Sequence, residues 1–251
     1  MRHVTSLFKS LLLSASLLLL WQLVVWVFDL PHYMLPQPME VMNKLTSQTT
    51  LLWQHTQVTL LEILLGLLFG FLLGLLSALV LSLSRWLSSL LLPLLVVSQA
   101  IPVFAIAPLL VLWFGYGMAS KIAMTILIIY FPVTAACYDG LCNTPKTWLE
   151  LAKTMNASPL QILFRVRLPA ALPSLASGLR IAVTIAPIGA VIGEWVGSNQ
   201  GLGYLMLHAN ARMHVDLMFA ALFILMLMTL LFFFLADKLL RRYLPWVNQL
   251  R

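Results

Sequence analysis

The chain has 251 residues, of which 61% are hydrophobic and only 9% are charged, and its formal net charge is +7. Soluble domains carry about 25% charged residues, so this composition excludes a soluble globular protein and predicts an all-α, polytopic membrane bundle. No basic patch is interleaved with exposed aromatic residues, so the charge does not indicate nucleic-acid binding. A membrane-spanning helix needs about 20 apolar residues, which leaves room for about six spans.

The six predicted spans form a single transmembrane domain over residues 1–251, with no repeat or linker between them. The first apolar run is too long for the core of a signal peptide and lacks a small-residue cleavage site, so we expect an uncleaved span. The predicted spans, in chain order, are 8–28, 58–83, 89–113, 121–139, 174–196 and 216–236.

The distribution of the 15 lysine and arginine residues predicts the orientation of the bundle. If both termini are cytoplasmic, only Lys44, Lys121 and Arg212 lie outside, and the other twelve lie inside. Cytoplasmic loops of membrane proteins are enriched in these residues, so we expect this orientation. The positive charge then reflects topology and contact with anionic lipid.

Small residues recur at every fourth position of the second span, in the series Gly66, Gly70, Gly74 and Ala78. Such a stripe predicts close packing against a neighbouring helix. Glu62 continues the stripe toward the outer end of the span. A carboxylate there either faces water or, if it lies deeper, serves the passage of a solute.

Two later spans contain residues that interrupt helices. The third carries Pro93, Pro102 and Pro108, with Gln99 among them, and the fifth carries Pro187 shortly before Glu194. Irregular backbone at membrane depth is tolerated where it lines a cavity, so both spans are predicted to be broken or kinked. The candidate pathway residues are Glu62, Gln99, Glu194 and Asn199. Ordinary kinks in a helical bundle are the alternative.

A short polar segment follows the glycine-rich loop that begins after Glu194. It carries His208, Asn210 and Arg212, which are candidates for contact with a soluble binding protein or for a gate over the cavity. An interfacial helix with its polar side in water is the alternative.

Residues 144–173 form a polar, basic island that contains two predicted helices. Thr144 and Pro145 predict a helix start, and Asn156 predicts its left-handed C-cap. Ser158 begins a second helix through a capping box. The second helix is predicted to bury one face and to end at a proline; the residues concerned are Leu160, Leu163 and Phe164, then Leu168 and Pro169. Two capped helices outside the membrane predict a docking surface for a soluble partner.

The same island carries a family resemblance. Its Glu150-Leu151-Ala152, Asn156-Ala157 and Leu168-Pro169 residues resemble the E-A-A…G…L-P loop of ATP-binding-cassette (ABC) importer permeases, with Leu151 in place of the first Ala and Asn156 in place of Gly. The run from Glu194 to Gly203 and the Trp113-Phe-Gly115 turn extend the resemblance. It implies the type I ABC importer permease fold and a multi-pass protein of the bacterial inner membrane. The implied ATPase-coupling residues are Glu150, Leu151, Ala152, Asn156, Ala157 and Ser158.

The resemblance also implies the partners: two ATP-binding subunits, an extracytoplasmic solute-binding protein, a second copy of the chain and the lipid bilayer. The chain has no phosphate-binding loop, no H-E-x-x-H and no G-x-S-x-G motif. We therefore expect no catalytic site, no metal and no cofactor of its own, with ATP bound by the partner subunit. Cys137 and Cys142 are predicted to be packing residues rather than disulfide or metal ligands.

Within the family, Ala186–Glu194 and Leu205–Arg212 resemble the nitrate/sulfonate/taurine-type permeases, most closely the branch for thiamine-precursor pyrimidines of the hydroxymethylpyrimidine type. Carboxylates at Glu62 and Glu194 would repel an anionic solute, which favours a pyrimidine. A sulfonate, taurine or nitrate permease is the alternative substrate assignment. A membrane scaffold that recruits a cytoplasmic partner is the alternative of another class.

Overall fold

The computed structural model describes residues 2–244, and this part of the chain is helical throughout apart from short connections. The elements in chain order are α1 (Arg2–Val27), α2 (Pro38–Ser47), α3 (Thr49–Leu83), α4 (Arg85–Ser98), α5 (Val103–Phe114), α6 (Met118–Cys142), α7 (Lys146–Thr154), α8 (Pro159–Ile162), a π-helical segment (Leu163–Arg167), α9 (Leu168–Gly197), α10 (Leu202–Ala211) and α11 (Val215–Tyr243).

In the described part of the chain, four helical stretches are individually long and apolar enough to cross a membrane: α3, α6, the run from Pro159 to Gly197, and α11. Helices α4 and α5 satisfy the same criteria only as a pair, which brings the number to five. The predicted first span lies within α1, where Ala15–Val27 forms a shorter apolar helix. Among the described residues, the structure therefore confirms an all-helical membrane bundle in which four or five spans meet the length criterion.

The third predicted span, 89–113, is not one straight helix. Helices α4 and α5 meet at a bend of 99°. Pro102 precedes α5, and a proline disfavours helical geometry in the residue before it, so the break occurs here. The fifth span shows the opposite behaviour: α9 remains continuous through Pro173 and Pro187, so the predicted break in it is wrong.

Helix α6 lies at the centre of the bundle, with α3 packed parallel to it on one side. Each glycine of the α3 stripe faces an α6 residue 59 positions later, and a side chain on any of them would collide with that residue. The facing pairs are Gly66–Thr125, Gly70–Ile129 and Gly74–Val133. The structure thus confirms the predicted role of the stripe in close helix packing.

Helix α9 runs antiparallel along the other side of α6, again through glycine contacts. A Cβ atom at Gly189 would lie 2.7 Å from the Thr125 Cα, and one at Gly193 would lie 3.0 Å from the Lys121 Cα. Backbone therefore approaches backbone closely along this interface. Because α3 and α9 hold the two sides of α6, residues far apart in sequence meet at each end of the three-helix core.

Candidate functional site

The island at 144–173 has the predicted C-cap between its two helices. Asn156 has a positive φ of 54°. Its N–H donates to the Lys153 carbonyl at 2.9 Å, and the Ala157 N–H donates to the Ala152 carbonyl at 3.0 Å. This pair of bonds is a Schellman motif, and asparagine tolerates the left-handed conformation that the motif requires. The cap holds the two short helices at a defined angle.

The two helix starts in the island differ from each other. The capping box at Ser158 is confirmed, because the Ser158 N–H donates to Gln161 Oε1 at 2.8 Å and the Gln161 N–H donates to Ser158 Oγ at 3.3 Å. The predicted Thr144 cap is wrong, because its hydroxyl donates to the Leu141 carbonyl at 3.1 Å instead. Pro145 occupies the N-cap position of α7. Thr144 thus closes the end of α6.

The second helix does not end at Leu168-Pro169 as predicted. It continues through the π-helical segment into α9, and the Leu168 N–H bonds to the Leu163 carbonyl five residues earlier. The wide turn inserts an extra residue before Pro169, so the proline falls in the first turn of α9, where its missing N–H is not needed. The island is therefore joined to the core span by continuous helix.

The island presents a large apolar surface to solvent. Leu163 is buried as predicted, but Leu160 and Phe164 are 58% and 54% exposed, which corrects the prediction that they are buried. Trp148, Leu151 and Met155 are exposed as well. Exposed apolar residues on a polar, basic segment are typical of a protein–protein contact. Among the implied coupling residues, Glu150, Leu151, Asn156 and Ser158 are exposed, Ala157 is half-buried and Ala152 is buried.

A polar cluster occupies the opposite end of the core and surrounds the start of α10. We use this term for His55, Thr59, Glu62, Lys121 and Glu194. Glu194 Oε2 accepts from the N–H groups of Gly203 at 2.5 Å and Tyr204 at 3.3 Å. Residues of α3 accept hydrogen bonds from the two preceding N–H groups. His55 Nδ1 accepts from the Gly201 N–H at 2.9 Å, and Thr59 Oγ1 accepts from the Leu202 N–H at 2.8 Å.

Side chains from α3 and α9 thereby satisfy all four N–H groups over residues 201–204. The first four N–H groups of a helix have no partner inside the helix, so the cluster acts as a tertiary N-cap for α10. Thr59 Oγ1 also donates to Glu194 Oε1 at 2.6 Å, which joins the two spans. The space is so tight that a side chain at Gly201 would collide with the Glu194 carboxyl group.

Lys121 is the functional candidate that the sequence interpretation missed. Its Nζ lies 2.5 Å from Glu62 Oε1, and the side chains are 5% and 0% exposed. Lys121 Nζ also donates to Ser198 Oγ at 3.0 Å in the glycine-rich loop. No signal in the local sequence indicates this pairing, because it depends on the register in which α3 packs against α6.

The four candidate pathway residues lie in different surroundings. Glu62 and Glu194 are 0% and 1% exposed and belong to the polar cluster. Gln99 is exposed at the end of α4 and is not part of the polar cluster. Asn199 is exposed in the loop after α9. The structure brings Glu62 and Glu194 together, and it does not bring Gln99 to them. Their role in a pathway stays a prediction.

Asn199 lines an open groove of about 610 Å³ beside the cluster. The side chains that line it include amides, an imidazole and a phenol but no Lys, Arg, Asp or Glu; they are Gln54, His55, Gln57, Val58, Asn199, Gln200 and Tyr204. The Tyr204 ring stacks on His55 with centroids 5.9 Å apart and lies 4.3 Å from the His208 ring. An uncharged polar groove with aromatic faces suits a neutral heteroaromatic molecule better than an anion.

The candidate contacts for a binding protein lie at the far end of α10. His208 and Asn210 are exposed on the helix, and Arg212 is exposed at its C-cap. The buried face of α10, which includes Leu202, Leu205 and Met206, packs on the core. Among residues 2–244, no group of three His, Cys, Asp or Glu side chains could hold a metal ion.

The chain is similar to known membrane transport proteins over most of its length. The family model described as "Binding-protein-dependent transport system inner membrane component" matches residues 70–245. A "Probable ABC transporter permease protein" of Haemophilus influenzae is 68% identical, with 95% of this chain and 97% of the relative covered. The "Formylaminopyrimidine transport permease protein ThiX" of Halalkalibacterium halodurans is 39% identical, with 92% of each chain covered. The "Riboflavin transport system permease protein RibX" of Chloroflexus aurantiacus is 42% identical, covering 92% of this chain and 87% of the relative.

The fold is also that of a solved structure. A chain of the MetNI methionine ABC transporter, solved in inward-facing conformations, matches with a TM-score of 0.65 at 23% identity. The match covers 76% of the present chain and 95% of the solved one. The agreement in fold supports the type I importer permease architecture that the sequence predicted.

Proposed function

The chain belongs to the family of binding-protein-dependent transport system inner membrane components, and from this premise we propose that it forms the pathway for a thiamine-precursor pyrimidine. It is a multi-pass inner-membrane permease subunit of an ABC importer, a class that works with ATP-binding subunits and a substrate-binding protein. The stoichiometry we propose is two copies of this chain with two ATP-binding subunits and one binding protein. The proposal includes cytoplasmic termini and no catalytic site, cofactor or metal of the chain's own.

The apolar surface of the island is the observation that supports docking of the ATPase. Leu151, Met155 and Phe164 are 63%, 75% and 54% exposed, and Glu150 is exposed beside them. A soluble subunit with an apolar cleft would bury these side chains, each worth about 1.5–3 kcal/mol when fully removed from water. In the proposed mechanism, ATP-driven closure of the ATPases pushes on α7, and the continuous helix from Pro159 carries the movement into α9.

Unpartnered apolar residues on α4 and α5 support a second copy of the chain. Val97, Phe104, Leu112 and Trp113 are 62%, 66%, 77% and 68% exposed. These helices adjoin the 99° bend, where Gln99 and the backbone near Pro102 lie. Irregular backbone in a membrane protein requires cover from protein or a water-filled cavity. Two copies facing each other through this region would enclose such a cavity. We propose that this cavity is the solute pathway and that Gln99 lines it.

The substrate proposal rests on the relatives and on the groove. The printed names of two relatives refer to a formylaminopyrimidine and to riboflavin, both nitrogen heteroaromatic compounds. The carboxylates of Glu62 and Glu194 no longer carry the electrostatic argument, because Lys121 and the α10 N–H groups occupy them. The groove around Asn199 supports the pyrimidine proposal instead. Its amide and imidazole groups can form hydrogen bonds with a pyrimidine, and the Tyr204 ring can stack on the pyrimidine ring.

The experiment is reconstitution with the candidate ATPase and binding protein in liposomes, followed by ATPase assays with hydroxymethylpyrimidine, formylaminopyrimidine, riboflavin, taurine and nitrate. Stimulation by the pyrimidines alone is the expected result. Stimulation by taurine or nitrate would overturn the substrate assignment and leave the permease assignment intact. Stimulation by riboflavin would indicate a larger heterocyclic substrate. If no ATPase associates with the chain, the scaffold alternative replaces the proposed coupling.

A further inference from the structure

Arg167, the last residue of the π-helical segment, bridges two spans with its guanidinium group. Its Nε donates to the Leu141 carbonyl at 3.1 Å, and its Nη1 donates to the Ser82 carbonyl at 3.1 Å. Leu141 lies 26 positions before Arg167 in the sequence, and Ser82 lies 85 positions before it. The side chain is half-buried, and both bonds are partly buried.

Both acceptors lie in the last turns of core helices. Ser82 is the second-last residue of α3, and Leu141 is the second-last residue of α6. The last four carbonyl groups of a helix have no partner within it, and they carry the negative end of the helix dipole. A cation that donates to both ends satisfies these carbonyls and holds α3 and α6 at a fixed separation.

The position of Arg167 connects these two ends to the island. Helix α9 is joined to the island by continuous helix from Pro159, and α6 leads into it through the short connection 143–145, whereas α3 has no direct chain connection to it. The guanidinium bonds therefore join the island directly to the end of α3 and add a second connection to the end of α6. They originate from a π-helical segment, a local irregularity that is frequent at functional positions.

We propose that Arg167 is a positioning residue that transmits movement of the island to α3 and α6, so that all three core spans move together. This inference rests on the proposed function, in which the ATPases push on α7. Without Arg167, a push on the island would still reach α9 and α6 through the chain, but the hydrogen bond that joins the island directly to the end of α3 would be lost. ATP would then be hydrolysed with little movement of solute.

The chemistry of the bridge requires arginine rather than any cation. Its planar fork presents Nε and Nη1 in a fixed relation, whereas lysine offers one compact ammonium group on a flexible stem. A hydrogen bond to a charged group contributes on the order of a tenfold change in an equilibrium constant. We therefore expect Arg167→Lys to lose most of the coupling although it keeps the charge.

The test uses the full complex in liposomes and measures solute moved per ATP hydrolysed, together with the amount of ATPase that copurifies. For Arg167→Ala and Arg167→Lys we expect ATPase association and ATP turnover within about twofold of the unsubstituted complex, with solute moved per ATP lower by about tenfold. Arg242→Ala is the control, because Arg242 is an exposed arginine in the last turn of α11. Its ratio should be unchanged.

Three results would overturn the inference. One is an unchanged ratio in both Arg167 variants, and another is full restoration of the ratio by lysine, which would show that charge alone suffices. The third is an equal loss of ratio in Arg242→Ala. If Arg167→Ala fails to assemble, the lysine variant decides in the same way. Failure of the unsubstituted complex to couple ATP hydrolysis to uptake would instead refute the proposed function, and the two failures are distinguishable.

Discussion

Lys121 and Glu62 form an ion pair that continues the glycine ladder between α3 and α6. Their 2.5 Å contact joins residues 59 positions apart, the same separation as in Gly66–Thr125 and the pairs that follow. The parallel packing that brings each glycine against α6 therefore also brings the lysine onto the carboxylate. The pair is buried, so each charge depends on the other for compensation.

Removing the lysine should destabilise the protein strongly. Lys121→Met would leave the Glu62 carboxylate without its ion pair, and breaking a buried pair costs about 3–5 kcal/mol. The measurement is thermal unfolding in detergent, with Lys44→Met as the control, because the Lys44–Asp216 pair at 3.4 Å is partly exposed. An exposed pair contributes only about 0–1 kcal/mol. Equal losses in the two variants would contradict the assignment. Combining Lys121→Met with Glu62→Met should recover much of the loss.

The antiparallel contact of α9 with α6 should not tolerate one added methyl group. In Gly189→Ala the new Cβ would lie 2.7 Å from the Thr125 Cα, and backbone cannot yield as a side chain end can. We expect a loss of about 1–3 kcal/mol. Thr184→Ala, on an exposed part of the same helix, should change stability by about 0.5 kcal/mol or less. Matching melting temperatures for the two variants would mean that the helices separate at little cost.

The cap that Glu194 provides should be visible in backbone hydrogen exchange. Glu194→Gln replaces one carboxylate oxygen by an amide that cannot accept a hydrogen bond, so the N–H groups of Gly203 and Tyr204 lose at least part of their partner. Hydrogen bonds to a charged group contribute about 1.5–3 kcal/mol, so exchange over 201–204 should accelerate by tenfold or more. Glu40→Gln is the matched control, since Glu40 accepts only from the Gln37 N–H at 2.9 Å. It should affect α2 and leave α10 unchanged.

The apolar surface of the island should matter for association more than for folding. Leu151→Ser removes a 63% exposed side chain, so stability should stay within about 0.5 kcal/mol while copurification of the ATPase falls. Leu163→Ser is the contrasting variant, because Leu163 is 2% exposed and its truncation should cost about 2–5 kcal/mol. Undiminished ATPase capture by Leu151→Ser would remove this residue from the docking surface. Glu150→Ala tests the proposed coupling role of the neighbouring Glu150 in the same assay.

Predictions that depend on neighbouring residues along the chain agreed well with the structure. The Asn156 C-cap and the Ser158 capping box formed as expected, because both are set by hydrogen bonds within one helical turn. The failures occurred where a second element competes. Thr144 bonds back to α6, and Pro187 is accommodated in a continuous helix, outcomes that the local sequence does not specify.

Leu160 and Phe164 show a different kind of limit. Their spacing with Leu163 predicts a buried apolar helix face, but only Leu163 is buried, and Leu160 and Phe164 are exposed. A hydrophobic pattern states that a surface needs cover without stating whether the cover comes from the same chain or from a partner. The prolines of the third span likewise predict a break, but they do not state how α4 and α5 lie against the rest of the bundle.

The sequence by itself determined the membrane class, the position of most spans, the family and the caps of the island, because hydropathy and helix capping act over short stretches of chain. Only the tertiary structure decided that Lys121 pairs with Glu62, that Glu194 caps α10 and that Arg167 bridges α3 and α6. Each of these contacts joins groups on different helices, and its geometry depends on which helix faces α6 and in which direction that helix runs.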